Sequence, residues 1–310
     1  MVSDFLRKIL SFLSFWSLND LNSIKNKDKN IIKTIQKKLN NIHFNKKNLK
    51  NTHNLFNKKI ILLLKKDDLT NFLRKNFIQK MFFVHNRLFI LKELVELKKD
   101  KNWIFYRKLI EEDHVGNPVR YFLYPKSSGN RINHVYHLSI LASEFNINLK
   151  KITNVFEFGG GYGCMARIFS KINSKISFTC FDTGFVNLLQ YYYLKQNNLN
   201  VGFSKKNKFY LISNTKKMNN SSSNSLFIAN WSLSETPINF RKKFFKLIKN
   251  SKLILISFQE NFENIDNLKY FKNLKKKLEK KFETKIINNK FYKGNFFKKQ
   301  KHFFFIAKKL

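Results

Sequence analysis

Apolar residues in the first half of the chain recur at every third or fourth position, which is the spacing of one face of a helix. The apolar positions of the clearest segment are Leu69, Leu73, Phe77, Met81, Val84, Leu88, Leu91 and Val95. Residues 131–145 repeat the pattern, whereas residues 19–60 are rich in Asn and Lys and only weakly periodic. We therefore predict one amphipathic helix at 69–95, another at 131–145, and short helices joined by loops at 19–60.

From about residue 150, short apolar runs rich in β-branched and aromatic residues alternate with helical segments. The predicted strands are 152–158, 176–182, 208–212, 226–230, 252–258, 284–288 and 302–309. The predicted helices are 164–172, 185–197, 238–249 and 264–281. Such alternation is typical of a parallel sheet with helices on both faces, and the last two strands are predicted to form a hairpin. The chain is expected to be an α/β protein with a helical region at 1–140 and a Rossmann-like domain at 141–310.

The formal net charge of +40 raises the question of a nucleic-acid partner, because Lys and Arg neutralise phosphates. Only eight of the 60 basic residues are Arg, and the 52 Lys occur together with abundant Asn, Ile and Phe. That composition is typical of an AT-rich coding sequence, whereas recognition surfaces favour the rigid fork of Arg. We therefore expect no specific nucleic-acid partner, with a functional anionic partner as the alternative.

The cysteines and the N-terminal residues bear on the compartment. Cys164 and Cys180 can build no disulfide framework and match no metal-ligand spacing, which favours the cytoplasm. Residues 9–18 are apolar but far fewer than the ~20 that span a bilayer, and they lack a small-residue cleavage site. An amphipathic first helix is predicted here. Its aromatic side chains beside Arg7 and Lys8 leave peripheral membrane contact open.

The sequence VFEFGGGYG at 155–163 places four glycines directly after a predicted strand and before a predicted helix. Glycine permits a positive φ and lets a ligand lie against the backbone. Asp182 ends the next strand, where a carboxylate can accept hydrogen bonds from the hydroxyls of an adenosine ribose. The motif therefore predicts an adenosine cofactor. The alternative is a tight turn in which Asp182 only caps the helix that begins near Phe185.

Two adenosine cofactors come into question. Gly161, Gly163 and Ala166 fit the dinucleotide pattern G-x-G-x-x-A, which would suit NAD. Glu157 argues against NAD, because an acid two residues before the first glycine would face a negative pyrophosphate. The same acid suits the positively charged amino end of S-adenosylmethionine. The terminal hairpin also departs from the further βα units that usually follow a dinucleotide turn.

Three motifs together resemble the sugar O-methyltransferases within the class I S-adenosylmethionine-dependent methyltransferase superfamily. They are E-x-G-G-G-Y-G at 157–163, Asp182 followed by L-Q-x-Y-Y-L at 189–194, and W-S-L-S-E-T-P at 231–237. The resemblance covers roughly residues 130–260. It implies a mostly parallel sheet of seven strands with an antiparallel last strand, preceded by a helical region. It also implies a sugar or glycan-precursor substrate.

The resemblance further implies roles for residues of this sequence. Those expected to hold the cofactor are Glu157, Gly159, Gly161 and Gly163 at its methionine portion, Asp182 at its ribose, and Asn230 and Trp231 beside the sulfonium. The segment after Asn230 lacks the Asn-Pro-Pro-Tyr pattern of methyltransferases that act on amino groups, which favours an oxygen acceptor.

A sugar hydroxyl is a poor nucleophile until a base takes its proton. The candidates are His134 and His137, one helical turn apart, and Glu235 after the fourth strand. Each has a structural alternative, since the histidines can serve only in packing and Glu235 can simply begin a helix. Arg131 is a candidate for binding an anionic sugar or the cofactor carboxylate. We see no compact Asp/His cluster and assign no metal.

The function predicted from the sequence is methyl transfer from S-adenosylmethionine to a hydroxyl of a sugar or glycan precursor. Two alternatives stay open. One is an RNA methyltransferase, which the charge would suit. The other is a non-catalytic binding protein that retains the methyltransferase fold. The intact acid, glycine turn and Asp182 speak against the second alternative, because a scaffold needs none of them.

Overall fold

A computed structural model describes residues 29–40, 42, 52–65, 69–82, 88–218, 225–291 and 300–310. The amphipathic helix predicted near residues 9–18 lies outside these residues. The described helices are α1 (Lys29–Asn40), α2 (Thr52–Lys65), α3 (Asn76–Phe82), α4 (Leu88–Lys99), α5 (Trp103–Ile110), α6 (Gly129–Phe145), α7 (Cys164–Ile172), α8 (Gly184–Gln196), α9 (Ile238–Arg241), α10 (Phe245–Asn250) and α11 (Asn267–Leu278). None of the described helices combines the length and the apolar character needed to cross a membrane.

The described strands confirm the alternation that the sequence predicts in the second half. They are β1 (Asn154–Phe158), β2 (Ser177–Phe181), β3 (Val201–Gly202), β4 (Phe209–Ile212), β5 (Ser225–Asn230), β6 (Leu253–Gln259), β7 (Asn261–Phe262), β8 (Ile265–Asp266), β9 (Phe282–Asn288) and β10 (His302–Lys309). The predicted helix at 238–249 is divided into α9 and α10 by a 3-10 turn at Lys242–Phe244, and α11 is shorter than the predicted 264–281.

The described residues form two compact units. The first consists of the described part of Met1–Tyr136 with Gly161–Ile168 and Thr183–Gly202. The second consists of His137–Gly160, Phe169–Asp182 and the described part of Phe203–Leu310. The division at residue 140 that the sequence suggested stays a prediction.

The single helix predicted at 69–95 is wrong. A 3-10 turn at Phe72–Arg74 ends at Lys75, whose backbone is extended, and only then does α3 begin. Because the extended backbone at Lys75 breaks the helix, the spacing of apolar residues counted from Leu69 onward does not predict the buried face of the later helices. In α4 the predicted core positions Leu91 and Val95 are 36% and 38% exposed, while Ile90, Leu94 and Leu97 are buried instead.

The main sheet of the second unit has the strand order β4-β2-β1-β5-β6-β10-β9. The pairs β2–β4, β1–β2, β1–β5 and β5–β6 are parallel, and β10 is antiparallel to both of its neighbours, β6 and β9. The predicted terminal hairpin is therefore confirmed. So is the fold class, a Rossmann-like α/β sheet that is mostly parallel and has an antiparallel last strand.

One face of this sheet is an aromatic core. Phe156 and Phe158 on β1 point to that face with Phe227 on β5, and Phe244 before α10 packs against them. The ring centroids of Phe158 and Phe244 lie 4.6 Å apart at 86°, an edge-to-face arrangement worth about 0.5–1.5 kcal/mol beyond burial. Because side chains alternate along a strand, Glu157 lies on the opposite face.

That opposite face carries polar groups toward the carboxyl edge of the sheet. Glu157 pairs in register with Cys180 on β2 and with Ile228 on β5. Asn230, two residues after Ile228, shares the face and pairs with Ser257 on β6. The register of the parallel strands thus gathers an acid, an amide and a hydroxyl on one side of the sheet.

Candidate functional site

The carboxyl ends of β1, β2 and β5 meet at one edge of the sheet, the place where ligands bind in open α/β sheets. The backbone N–H of Gly159 donates to the Phe181 carbonyl at 2.8 Å, and the N–H of Asp182 donates to the Ile212 carbonyl at 3.0 Å. These bonds fix the backbone just beyond β1 and β2. Gly159 and Asp182, both predicted site residues, therefore stand at the ends of adjacent strands.

Glu157 and Asp182 are two carboxylates near this edge. Glu157 is only 2% exposed, whereas Asp182 is half-buried. Burial raises the pKa of the Cys180 thiol well above its ordinary value, and the nearby charges of Glu157 and Asp182 raise that pKa further. Two carboxyl groups therefore lie near Cys180 at this part of the edge, and as carboxylates they would suit a cationic or hydroxyl-bearing ligand.

Asp182 is not the N-cap of the helix that follows it. The N-cap of α8 is Thr183, whose side chain makes no capping hydrogen bond. Asp266, by contrast, does cap the helix that it precedes, because its side chain accepts a hydrogen bond from the Lys269 N–H. The cap interpretation that the sequence left open for Asp182 therefore finds no support in the helix start.

Gly159 has a structural reason to be glycine. Its φ is +74°, in the left-handed region that L side chains rarely adopt, and a Cβ there would overlap Cβ and Oγ of Ser232. Ser232 in turn donates a hydrogen bond from Oγ to the Phe158 carbonyl. The missing side chain thus makes room for the turn after β5 to close on the end of β1.

Gly161 and Gly163 belong to the first unit, and their φ values of +56° and +100° also favour glycine. A Cβ at Gly161 would lie 3.1 Å from the ring of Phe82, and one at Gly163 would lie 3.3 Å from Leu194. Gln190 on α8 donates from Nε2 to the Gly161 carbonyl at 2.9 Å. The second half of the glycine turn is thereby held by its own unit, and its predicted contact with a cofactor stays a prediction.

His137, Asn230 and Trp231 come together in the second unit. Nδ1 of His137 lies 3.0 Å from Oδ1 of Asn230. The His137 ring packs edge-on against Trp231 and Phe304, with centroid distances of 5.3 and 4.8 Å. His137 is fully buried. The predicted base His137 therefore lies in one cluster with Asn230 and Trp231, the two residues predicted to lie beside the sulfonium, at the ends of β5 and β6.

The backbone of Trp231 is strained. Its φ is +59° with ψ of −34°, a conformation that costs a bulky L residue about 1–3 kcal/mol. Its N–H donates to the Ser257 carbonyl at 2.8 Å, and its indole Nε1–H donates to Nδ1 of His302 at 3.1 Å. Both bonds hold the indole ring beside His137, and strain of this kind concentrates at functional sites.

Glu235 ends a 3-10 turn at Ser232–Glu235, directly after Trp231. Burial raises the pKa of Glu235 to about 7, while a hydrogen bond from Gln259 works in the opposite direction. Gln259 Nε2 lies 3.5 Å from Oε1 of Glu235, and Gln259 Oε1 accepts from Ser234 Oγ at 2.8 Å. A carboxyl whose pKa lies near neutrality is able to exchange a proton at the working pH.

The contacts of His134 and Arg131, both on α6, leave the roles predicted for them as predictions. Nδ1 of His134 lies 2.8 Å from the Asn130 carbonyl of its own helix. Arg131 is fully buried, and its Nη2 contacts Glu112 at 2.6 Å and Asp113 at 2.8 Å. The guanidinium expected to bind an anionic ligand is therefore already paired with two carboxylates of the chain.

Sequence reasoning missed Ser257, Gln259 and His302. Ser257 and Gln259 are the polar positions of the otherwise apolar strand LILISFQ, and His302 begins the last strand. Polar residues at the carboxyl end of a predicted parallel strand indicate a ligand site, so Ser257 and Gln259 could have been proposed from the sequence. His302 contacts Trp231 because β10 runs antiparallel beside β6 and begins at the carboxyl end of β6. The sequence around His302 does not reveal this contact.

No protein-family model and no curated protein matches the chain. Solved structures align with part of it. A Thermoplasma acidophilum protein, 1320, aligns at 13% identity over 58% of this chain and 90% of its own, with a TM-score of 0.40. The methyltransferase domain of bacterial CtHen1 aligns at 12% over 57% and 97%, with 0.40. StiE O-MT aligns at 12% over 67% and 81%, with 0.43. At these values the similarities assign neither a family nor an activity to this chain.

Proposed function

We propose that this protein is an S-adenosylmethionine-dependent methyltransferase that acts on a hydroxyl group. The observation that carries the proposal is the pair of acids at the ends of neighbouring strands. Glu157 on β1 is buried beside Cys180 on β2, and Asp182 follows β2 directly. Gly159, a glycine with positive φ, directly follows β1. This arrangement offers one carboxylate to a cationic group and a second to a diol.

The polar groups of Glu157, Asp182 and Asn230 fit S-adenosylmethionine. In this proposal Asp182 accepts hydrogen bonds from the ribose hydroxyls, and Glu157 lies toward the ammonium group. Asn230 adds a donor, because its Nδ2 is buried and has no acceptor among the described residues. A bound ligand oxygen would satisfy that donor, which otherwise costs about 1–3 kcal/mol. S-adenosylmethionine supplies an electrophilic methyl group for in-line transfer.

The protein's own contribution is alignment and proton removal. Holding an acceptor oxygen in line with the reacting carbon can supply about 7–11 kcal/mol of the barrier. His137 is the favoured base, since it is a buried imidazole fixed by Asn230, Trp231 and Phe304. Glu235 is the second candidate, because its pKa of about 7 allows it to accept a proton near neutrality.

A sugar or glycan precursor is the acceptor class that we propose. Its support is the resemblance of the three sequence motifs, together with the buried imidazole of His137 beside Asn230, since an imidazole can take the proton of an alcohol. The segment Asn230-Trp231-Ser232-Leu233 differs from the pattern of enzymes that methylate amino groups. An oxygen acceptor is consistent with both features.

Calorimetric titration of the purified chain with S-adenosylhomocysteine tests the cofactor. We expect binding, and we expect Asp182→Ala to weaken it at least about tenfold, because hydrogen bonds to a charged acceptor contribute about 1.5–3 kcal/mol each. Asp266→Ala is the matched control. It removes a carboxylate that also stands between strand and helix but caps α11, so it should lower stability and leave the affinity unchanged.

Three outcomes would contradict the proposal. The first is binding of NAD without binding of S-adenosylhomocysteine. The second is an equal loss of affinity in Asp182→Ala and Asp266→Ala, since only a general effect on folding would act on both. The third is unchanged affinity in Asp182→Ala, which would remove Asp182 from the cofactor site.

A further inference from the structure

The side-chain amide of Asn230 lies between two polar groups of the second unit. Its Oδ1 receives the Ser257 hydroxyl at 3.2 Å and faces Nδ1 of His137 at 3.0 Å. Ser257 is 2% exposed and His137 is fully buried, so water does not compete for these bonds. Register pairing of Asn230 with Ser257 on the adjacent strand fixes the amide before any ligand arrives.

The chemistry of this contact determines where the imidazole proton lies. An amide oxygen only accepts hydrogen bonds, so the His137 nitrogen that faces it must carry the proton. A neutral imidazole has one N–H, and its other nitrogen then carries a lone pair. The contact with Asn230 Oδ1 therefore selects the tautomer with the proton on Nδ1 and the basic lone pair on Nε2.

We propose that Asn230 is a positioning residue that holds His137 in the Nδ1–H tautomer, so that Nε2 acts as the base toward the acceptor hydroxyl. This inference rests on the proposed function. In the reaction the O–H bond breaks, its proton passes to Nε2, and its electron pair stays on the oxygen that forms the new bond to carbon. The resulting imidazolium keeps its Nδ1–H bond to Asn230.

Ring packing supports the same assignment. Trp231 and Phe304 contact the His137 ring edge-on at interplanar angles of 66° and 75°. Trp231 is itself tied down through its indole N–H to His302 and its backbone N–H to Ser257. A 180° flip of the ring, which would put Cδ2 in the place of Nδ1 facing Asn230, would have to displace both aromatic neighbours. The tautomer and the orientation are thus fixed together.

Nitrogen-15 NMR of the histidine rings tests the inference on the full chain. The chain has seven histidines, and His137→Gln identifies the signal of His137. We expect Nδ1 to be protonated and Nε2 to be unprotonated at neutral pH. His134 provides an internal reference, because its Nδ1 faces a backbone carbonyl of α6 that changes at Asn230 do not touch.

Asn230→Asp is the decisive variant, since it keeps the accepting oxygen and adds a negative charge. We expect the Nδ1–H tautomer to persist and the pKa of His137 to rise by about 1–3 units, while the His134 signals stay in place. Asn230→Leu removes the acceptor and should populate the Nε2–H tautomer. A purely structural Asn230 would lower thermal stability in Asn230→Leu and leave the proton of His137 on Nδ1.

Two results would overturn the inference. One is a wild-type His137 protonated on Nε2, and the other is a His137 pKa unchanged in Asn230→Asp. If Asn230→Leu does not fold, these two measurements still decide. Loss of S-adenosylhomocysteine binding would instead contradict the proposed function, and it is measured separately by calorimetry, so the two failures are distinguishable.

Discussion

Glu93 is a carboxyl group buried inside the helical part of the first unit. It lies on α4 and is 0% exposed, and Nδ2 of Asn133 on α6 lies 2.9 and 3.0 Å from its two oxygens. Burial raises the pKa of Glu93 from 4.5 to about 8, although the hydrogen bond from Asn133 acts in the lowering direction. At neutral pH the folded protein therefore holds this carboxyl largely protonated.

The raised pKa of Glu93 makes stability depend on pH with a definite sign. Between pH 4.5 and about 8 the folded state keeps a proton that the unfolded state releases, so the free energy of unfolding falls as pH rises. Each pH unit in that window is worth about 1.4 kcal/mol. The dependence flattens as the pH approaches the Glu93 pKa of about 8. The free energy of unfolding therefore falls by about 2 kcal/mol between about pH 6 and pH 8.

Glu93→Gln tests this reasoning because glutamine is neutral at every pH and keeps the size of the side chain. Urea unfolding at about pH 6, 7 and 8 should show the variant gaining about 2 kcal/mol relative to wild type across the range. Glu96→Gln on the same helix is the control, since Glu96 is exposed and pairs with Lys99. Parallel pH profiles for wild type and Glu93→Gln would refute the assignment.

Three further expectations follow from the structure and the sequence. Gly159→Ala should lower the free energy of unfolding in urea by about 2 kcal/mol or more, because the left-handed backbone costs about 1–2 kcal/mol and the new Cβ overlaps Ser232; an unchanged unfolding curve contradicts this. Arg131→Met should cost about 3–5 kcal/mol by leaving Glu112 buried without its partner, whereas Lys285→Ala in an exposed pair should cost under about 1 kcal/mol; thermal and urea unfolding compare the two. Nucleic-acid binding in a fluorescence titration should be indifferent to sequence and should fall steeply between about 50 and 200 mM salt, and tight binding of one defined RNA at physiological salt would favour the RNA alternative.

The main sheet was predictable from sequence because its strands are short runs rich in β-branched and aromatic residues, bounded by polar residues or glycine. Glu157 and Asp182 could be proposed as site residues because both lie near the carboxyl ends of predicted strands. Helix phase in the first unit was not predictable. Leu91 and Val95 were assigned to an apolar helical face by counting from Leu69 across the break at Lys75, which the spacing of apolar residues does not reveal.

The candidate base was only partly predictable. The sequence offered His134 and His137 as near equals on one helix, and it did not show which group each imidazole would face. His134 faces a carbonyl of its own helix, whereas His137 faces Asn230, 93 positions away in sequence. The ion pairs of Arg131 were not predictable for the same reason, because its carboxylate partners 18 and 19 positions away fit no local motif.

The contact between Gly159 and Ser232 limits how the sequence can change over evolution. The turn after β5 occupies the space that any side chain at position 159 would need, and its own hydroxyl is bonded to the carbonyl just before that position. A substitution at 159 therefore requires a shift of the whole Ser232 turn, which also carries Trp231 and Glu235. Among homologues, we expect these two positions, 73 residues apart, to vary together or not at all.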